Sequence, residues 1–155
     1  GLTRLSLLGD DKMDSKRILV VDDDPMIRTL VQEILVNEGH DVVLAEDGQK
    51  AVDLLDKEPR PISFATVVLD VVMPGMNGLD VLTRLKLHGH TSSLPVLMLT
   101  GEDKAEDIMA GYNIGADYYI TKPFTRQQLL YGLSLVLEGS KANSSSTGSG
   151  DTTQQ

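Results

Sequence analysis

The chain has 155 residues, 41% of them apolar, and 14 basic against 23 acidic side chains leave a formal charge of −9; this is enough for one domain with a sizeable core. The acidic balance excludes a nucleic-acid surface, which needs clustered Lys and Arg, and the absence of cysteine excludes disulfides, thiolate nucleophiles and Cys-ligated metals. No run of about 18 apolar residues could span a bilayer, and residues 1–11 hold no apolar core long enough for a secretory signal, so a cytoplasmic protein without membrane contact is expected.

Residues 1–16 form an N-terminal extension. Leu2, Leu5, Leu7 and Leu8 suit either a docking segment or a leader ahead of a start at Met13. Its Arg4, Lys12 and Lys16 balance Asp10, Asp11 and Asp14, and near the other end Lys141 balances Asp151. The whole net charge therefore belongs to residues 17–138, the expected domain.

Ile18–Val21 is apolar throughout and β-branched-rich, which predicts a strand buried on both faces. Ile27, Leu30, Val31, Ile34 and Leu35 then form a helical stripe, closed by Asn37 and Gly39. Val42–Ala45 is a weaker strand, followed by a helix through Ala51, Leu54 and Leu55 with a cap at Asp47. Ala65–Leu69 is a second buried strand. Pro74-Gly75 and Asn77-Gly78 read as turns, and Leu79, Leu82 and Leu85 mark the third helix. Val96–Leu99 is the third buried strand, Ala105, Ile108, Met109 and Tyr112 mark the fourth helix, and Tyr118–Ile120 is the other weak strand. A capping box, Thr125-x-x-Gln128, opens a last helix through Leu129, Leu130, Leu133, Val136 and Leu137. Residues 139–155 contain one apolar residue, Ala142, and read as a disordered tail or linker. His40, His88 and His90 read as surface residues, the last two on different sides of a helix.

Five strands alternating with five helices predict an α/β domain on a parallel sheet. About 120 residues suffice for an open, doubly wound sheet but not for an eight-fold barrel. Such sheets hold ligands at the carboxyl ends of their strands. There the chain delivers Asp22, Asp23 and Asp24 after the first strand, Asp70 after the third, Thr100 after the fourth and Lys122-Pro123 after the fifth. Crowded carboxylates repel one another unless a cation is present. Mg²⁺ suits such an oxygen set and leaves room for a phosphate ligand. With Lys122 and the Thr100 hydroxyl beside it, this is phosphoryl-transfer chemistry. A carboxylate is the expected acceptor.

Four motifs carry a family resemblance: Ile18 to Pro25 (ILVVDDDP), Val67 to Gly78 (VVLDVVMPGMNG), Leu97 to Gly101 (LMLTG) and Gly115 to Phe124 (GADYYITKPF). Over residues 17–138 the chain resembles the receiver domains of two-component response regulators, which are CheY-like. The resemblance implies a flavodoxin-like five-stranded sheet in the order 2-1-3-4-5. It implies that Asp70 accepts phosphate from a histidine kinase or phosphotransfer protein. Asp23 and Asp70 would ligate Mg²⁺ directly, Asp22 largely through water, and the Val72 carbonyl would add a backbone ligand. Thr100 and Lys122 would grip the phosphoryl oxygens, Tyr119 would be the switch aromatic, and the Lys122–Pro123 peptide would be cis. The face of helix four, strand five and helix five would address a downstream protein or an output domain outside this chain. Val72 and Glu102 flank the site, where they would tune phosphate lifetime. Such a protein is a switch with its own phosphorylation and dephosphorylation chemistry rather than a metabolic enzyme.

Other readings remain open on the residues alone. Asp24 before Pro25 suits a helix cap better than a metal ligand. Thr100 could cap the fourth helix, and Tyr119 could be packing only. Asp22-x-Asp24 after a strand also opens haloacid-dehalogenase-like phosphatases, with Asp22 as nucleophile, but leaves Asp70 without a role. A docking module without phosphorylation is the third reading. Tyr118 and Gly132 stand where many winged-helix regulators carry an Asp and an Arg that pair in the active dimer, so that dimer is not expected. Gly132 within the fifth helix points to close packing or a contact surface.

Overall fold

The computed structural model describes residues 14–101 and 105–145. Its strands are β1 (Arg17–Val21), β2 (Asp41–Ala45), β3 (Thr66–Asp70), β4 (Val96–Thr100) and β5 (Tyr118–Thr121); its helices are α1 (Pro25–Asn37), α2 (Gly48–Lys57), α3 (Gly78–Leu87), α4 (Ala105–Ile114) and α5 (Arg126–Ser145). All strand pairs are parallel, and the order is β2-β1-β3-β4-β5. This is the expected doubly wound α/β fold.

Alternation along the strands sorts the core into two layers. Leu19, Val21, Val67, Leu69, Val96 and Met98 face one way, against Ala51, Val52 and Leu55 of α2 and Val81, Leu82 and Leu85 of α3. Ile18, Val20, Val68, Leu97 and Leu99 face the other way, against Val31, Ile34 and Leu35 of α1 and Leu129, Leu133 and Val136 of α5. β1, β3 and β4 supply both layers, which is why their sequences are apolar at successive positions.

Caps set the helix starts. Asp24 accepts from Met26 N at 2.9 Å, with Pro25 as the first helical residue, and Asp47 accepts from Lys50 N at 2.8 Å. Thr125 and Gln128 close their expected box through bonds of 2.9 and 3.1 Å. Asn77-Gly78 is more than a turn: Asn77 and Asp80 form a second reciprocal box that opens α3.

Three expectations are corrected. His40 is buried; its Nδ1 accepts from the Lys16 backbone N–H at 3.1 Å across the start of β1 and β2. His88 and His90 lie beyond the end of α3, with ring centroids 6.1 Å apart rather than on opposite helix faces. The last helix continues to Ser145, into the segment read as a tail. The N-terminal extension before Asp14, Glu102 and the tail after Ser145 lie outside the described residues. Among the described residues no helix is long and apolar enough to cross a membrane.

Candidate functional site

β1 runs its apolar register to Val21, and the chain stays inside the fold for one more residue, Asp22, before it reaches solvent at Asp23. The Asp22 backbone N–H still extends the sheet, donating to Ala45 O at 3.2 Å. Its side chain is wholly buried, while Asp23 beside it is exposed. β3 ends on Asp70, buried to 2% exposure, and the adjacent β4 ends on the buried Thr100, one residue beyond the Asp70–Leu99 pairing. β5 is followed by Lys122, whose backbone N–H donates to Thr100 O at 2.7 Å. Parallel strands cut off at one level thus bring together Asp22 and Lys122, 100 positions apart.

Lys122 joins the carboxylates. Its Nζ donates to Asp22 Oδ2 at 2.9 Å and to Asp70 Oδ1 at 3.0 Å. The second Asp22 oxygen accepts from Asp24 N at 2.9 Å, and Arg28 Nη1 on α1 donates to the Asp22 carbonyl at 2.8 Å. Asp22 is therefore held at side chain and backbone alike. Both its carboxylate oxygens are occupied, an arrangement that suits an anchor better than a nucleophile. Asp24 is spent on its cap. The Lys122–Pro123 peptide is cis, as the resemblance implies.

One ammonium does not neutralise this cluster. Asp22, Asp23 and Asp70 can each offer an oxygen within 4.8 Å of the others. Burial, the Asp22 charge and a hydrogen bond shared with Asp23 push Asp70 up to about 6, although Lys122 opposes the shift. Burial alone would lower the Lys122 pKa, but its bonds to Asp22 and Asp70 outweigh that and raise it. Three carboxylates gathered this closely form an oxygen-rich, over-charged site. A hard divalent cation fits this donor set.

The turn after Asp70 is tightly built. A Cβ on Gly78 would collide with the Asp70 carbonyl oxygen and stand 2.8 Å from Val71 Cα, and the Gly78 N–H donates to Val71 O at 2.8 Å. Val72, in the same turn, is 70% exposed. Tyr119 is half-buried on β5, its ring packed against Tyr112 of α4 with centroids 5.1 Å apart. Gly132 of α5 is a close-packing position: a Cβ there would stand 2.7 Å from Ile120 Cδ1 and 3.2 Å from Tyr118 Cδ2.

Asp22, Asp23, Asp70 and Lys122 form one contact group, with Thr100 at its margin, while Tyr119 belongs to the neighbouring β5–α4 packing. Arg28 is a member that sequence reasoning missed. No spacing rule ties a helix arginine to a strand-end carbonyl, although its position six residues after Asp22 brings it back over the strand by about one turn of helix.

The model for the response regulator receiver domain matches residues 18–133. The transcriptional regulatory protein CpxR of Escherichia coli K12 is 40% identical over 124 residues, 80% of this chain and 50% of CpxR. The response regulator MprA of Mycolicibacterium vanbaalenii is 42% identical over 121 residues, 78% of this chain and 50% of MprA. The chain thus spans about half the length of the curated relatives it matches. Among solved structures, the Vibrio cholerae chemotaxis protein CheY4 superposes with a TM-score of 0.73 at 33% identity, covering 80% of this chain and all of that one.

Proposed function

The chain belongs to the response regulator receiver domain family, and from that premise we propose that Asp70 is its phosphoacceptor and Lys122 the residue that positions the incoming phosphoryl group. The observation that carries this reading is the Lys122 ammonium shared between the buried Asp22 and Asp70 carboxylates. An Asp70 carboxylate oxygen attacks the phosphorus of a phosphohistidine on a histidine kinase or phosphotransfer protein. The N–P bond breaks, the imidazole leaves with its electron pair, and an aspartyl phosphate forms. Lys122 pairs with a phosphoryl oxygen, and the Thr100 hydroxyl donates to another.

Asp23 and Asp70, with Asp22 behind them and the Val72 carbonyl, would hold Mg²⁺. When bound, that ion offsets the charge that builds on the phosphoryl oxygens. The protein is a signalling switch of the two-component kind, and the reading adds self-catalysed phosphorylation and hydrolysis at Asp70. The aspartyl phosphate places new charge beside Thr100. Thr100 and Tyr119 then rearrange the face of α4, β5 and α5 toward a downstream protein or an output domain. Residues 17–138 would act as this unit in the cytoplasm, with the flanking segments as extension and linker.

Acetyl phosphate with Mg²⁺, followed by hydroxylamine trapping and peptide mass spectrometry, tests the assignment. The label should map to Asp70. A label on Asp22 would point to phosphatase-like chemistry, and no label in the presence of Mg²⁺ would leave a docking module.

A further inference from the structure

Tyr119 does not rest on an ordinary helix surface. Where its ring meets α4, position 111 is glycine, buried, with an ordinary right-handed helical backbone. A Cβ built at Gly111 would overlap the Tyr119 hydroxyl, stand 2.7 Å from its Cζ and 3.0 Å from its Cε1. The phenol tip thus fills the space that any other residue at 111 would occupy, and the next residue, Tyr112, flanks the ring. Local physics argues against glycine here. Within a helix it is less favourable than alanine, and no positive φ requires it. Its presence is explained by the contact with Tyr119.

We infer that Gly111 is a positioning residue: it forms the socket that admits the Tyr119 ring to its packed place between β5 and α4, so that the side chain at 111 sets the balance between packed and displaced Tyr119. The inference rests on Tyr119 being the switch aromatic. A β-carbon at 111 closes the socket and drives the ring outward without touching Asp70, Thr100 or Lys122. Binding of a phosphoryl group, coupled to the packed ring, is then weakened from a distance.

A double-mutant cycle in the whole chain separates the contact from the helix. In the wild-type background Gly111→Ala should lower the thermal midpoint by several degrees. In a Tyr119→Ala background the space is open, and the same substitution should raise the midpoint, as helix propensity alone demands. Tyr119→Phe, which removes only the hydroxyl, should give an intermediate result. The second measurement is calorimetric titration with beryllium fluoride and Mg²⁺, an aspartyl-phosphate mimic. Gly111→Ala should weaken binding severalfold when Tyr119 is present and leave it unchanged when position 119 is Ala.

Equal midpoint shifts in both backgrounds would show that Gly111 acts only through its own helix, overturning the socket while leaving the switch reading intact. A reversal of sign in the midpoint with unchanged beryllium fluoride affinity would instead overturn Tyr119 as the switch, and with it the control assigned to position 111.

Discussion

At the amino edge of the sheet, Thr66 Oγ1 donates to Pro95 O at 2.8 Å, Asp117 accepts from Val96 N at 2.8 Å, and Lys86 Nζ donates to the carbonyls of Ser92 and Leu94, both at 3.1 Å. Arg17 pairs with Glu58 at 2.7 Å and lies 4.1 Å over the Phe64 ring. At the carboxyl edge, three carboxylates face one another across a single lysine. The first edge gives each of these polar groups a fixed partner, which is what stability selects. The second leaves like charges together, the arrangement expected of a site built to take a cation. Shape alone would mislead here. A cavity of about 1040 Å³, lined by Lys16, Arg60, Phe64, Leu94 and Leu137, opens at the amino edge, away from the acidic cluster. Charge, more than concavity, sets the proposed site apart.

The sharpest test of this contrast is Asp70→Asn. It should abolish labelling by acetyl phosphate and yet raise the unfolding midpoint in urea, because it removes one of the mutually repelling charges. A destabilised Asp70→Asn would erase the distinction between the edges. Next in size is Lys122→Ala, which leaves two buried carboxylates without their cation and should cost about 3 kcal/mol of stability in metal-free buffer. A loss no greater than that of an exposed lysine would show that Lys122 does not hold the cluster together.

The edges should also titrate in opposite senses. Asp70 has a folded-state pKa raised from 3.8 to about 6, so its contribution to stability is complete below pH 3.8 and is lost as pH rises through about 6. His40 has a folded-state pKa lowered from 6.5, chiefly by burial, so its contribution is present above pH 6.5 and is lost as pH falls through the lowered value. Metal-free pH–stability curves of Asp70→Asn and His40→Gln should each lack one of these slopes. Identical curves would mean that neither group titrates as its burial requires. The smallest expected effect is that of Thr66→Val, which removes one of the two hydrogen bonds the Pro95 carbonyl accepts and leaves that from Val67 N, and should cost about 1 kcal/mol with labelling unchanged.

The buried strands were legible because each feeds two core layers, and unbroken apolar runs have few other uses in so short a chain. The first ends at Val21 as expected, whereas the other two run one residue further, since Asp70 and Thr100 are polar in composition yet still belong to their strands. The acidic cluster and its lysine were legible for a related reason: once the strands are placed in parallel, their carboxyl ends must meet. Contacts set by tertiary packing were not legible. His40 looks like a surface residue until Lys16 turns an N–H onto its ring. Nothing in the spacing of Arg28 announces the Asp22 carbonyl. Asn77 could have been recognised, because Asp80 stands three residues on, the offset of a reciprocal cap. The Gly111 socket depends on the reach of a side chain eight residues away on another element, and no local pattern encodes it.

Gly78 shows what this construction means for drift in sequence. No side chain fits beside the Asp70 carbonyl, whereas Gly89 and Gly101 have open space where a Cβ would go. In a saturation library, the latter two glycines should accept many letters and position 78 only one. A lineage can rewrite much of its loops, but it cannot change that turn without moving the aspartate behind it.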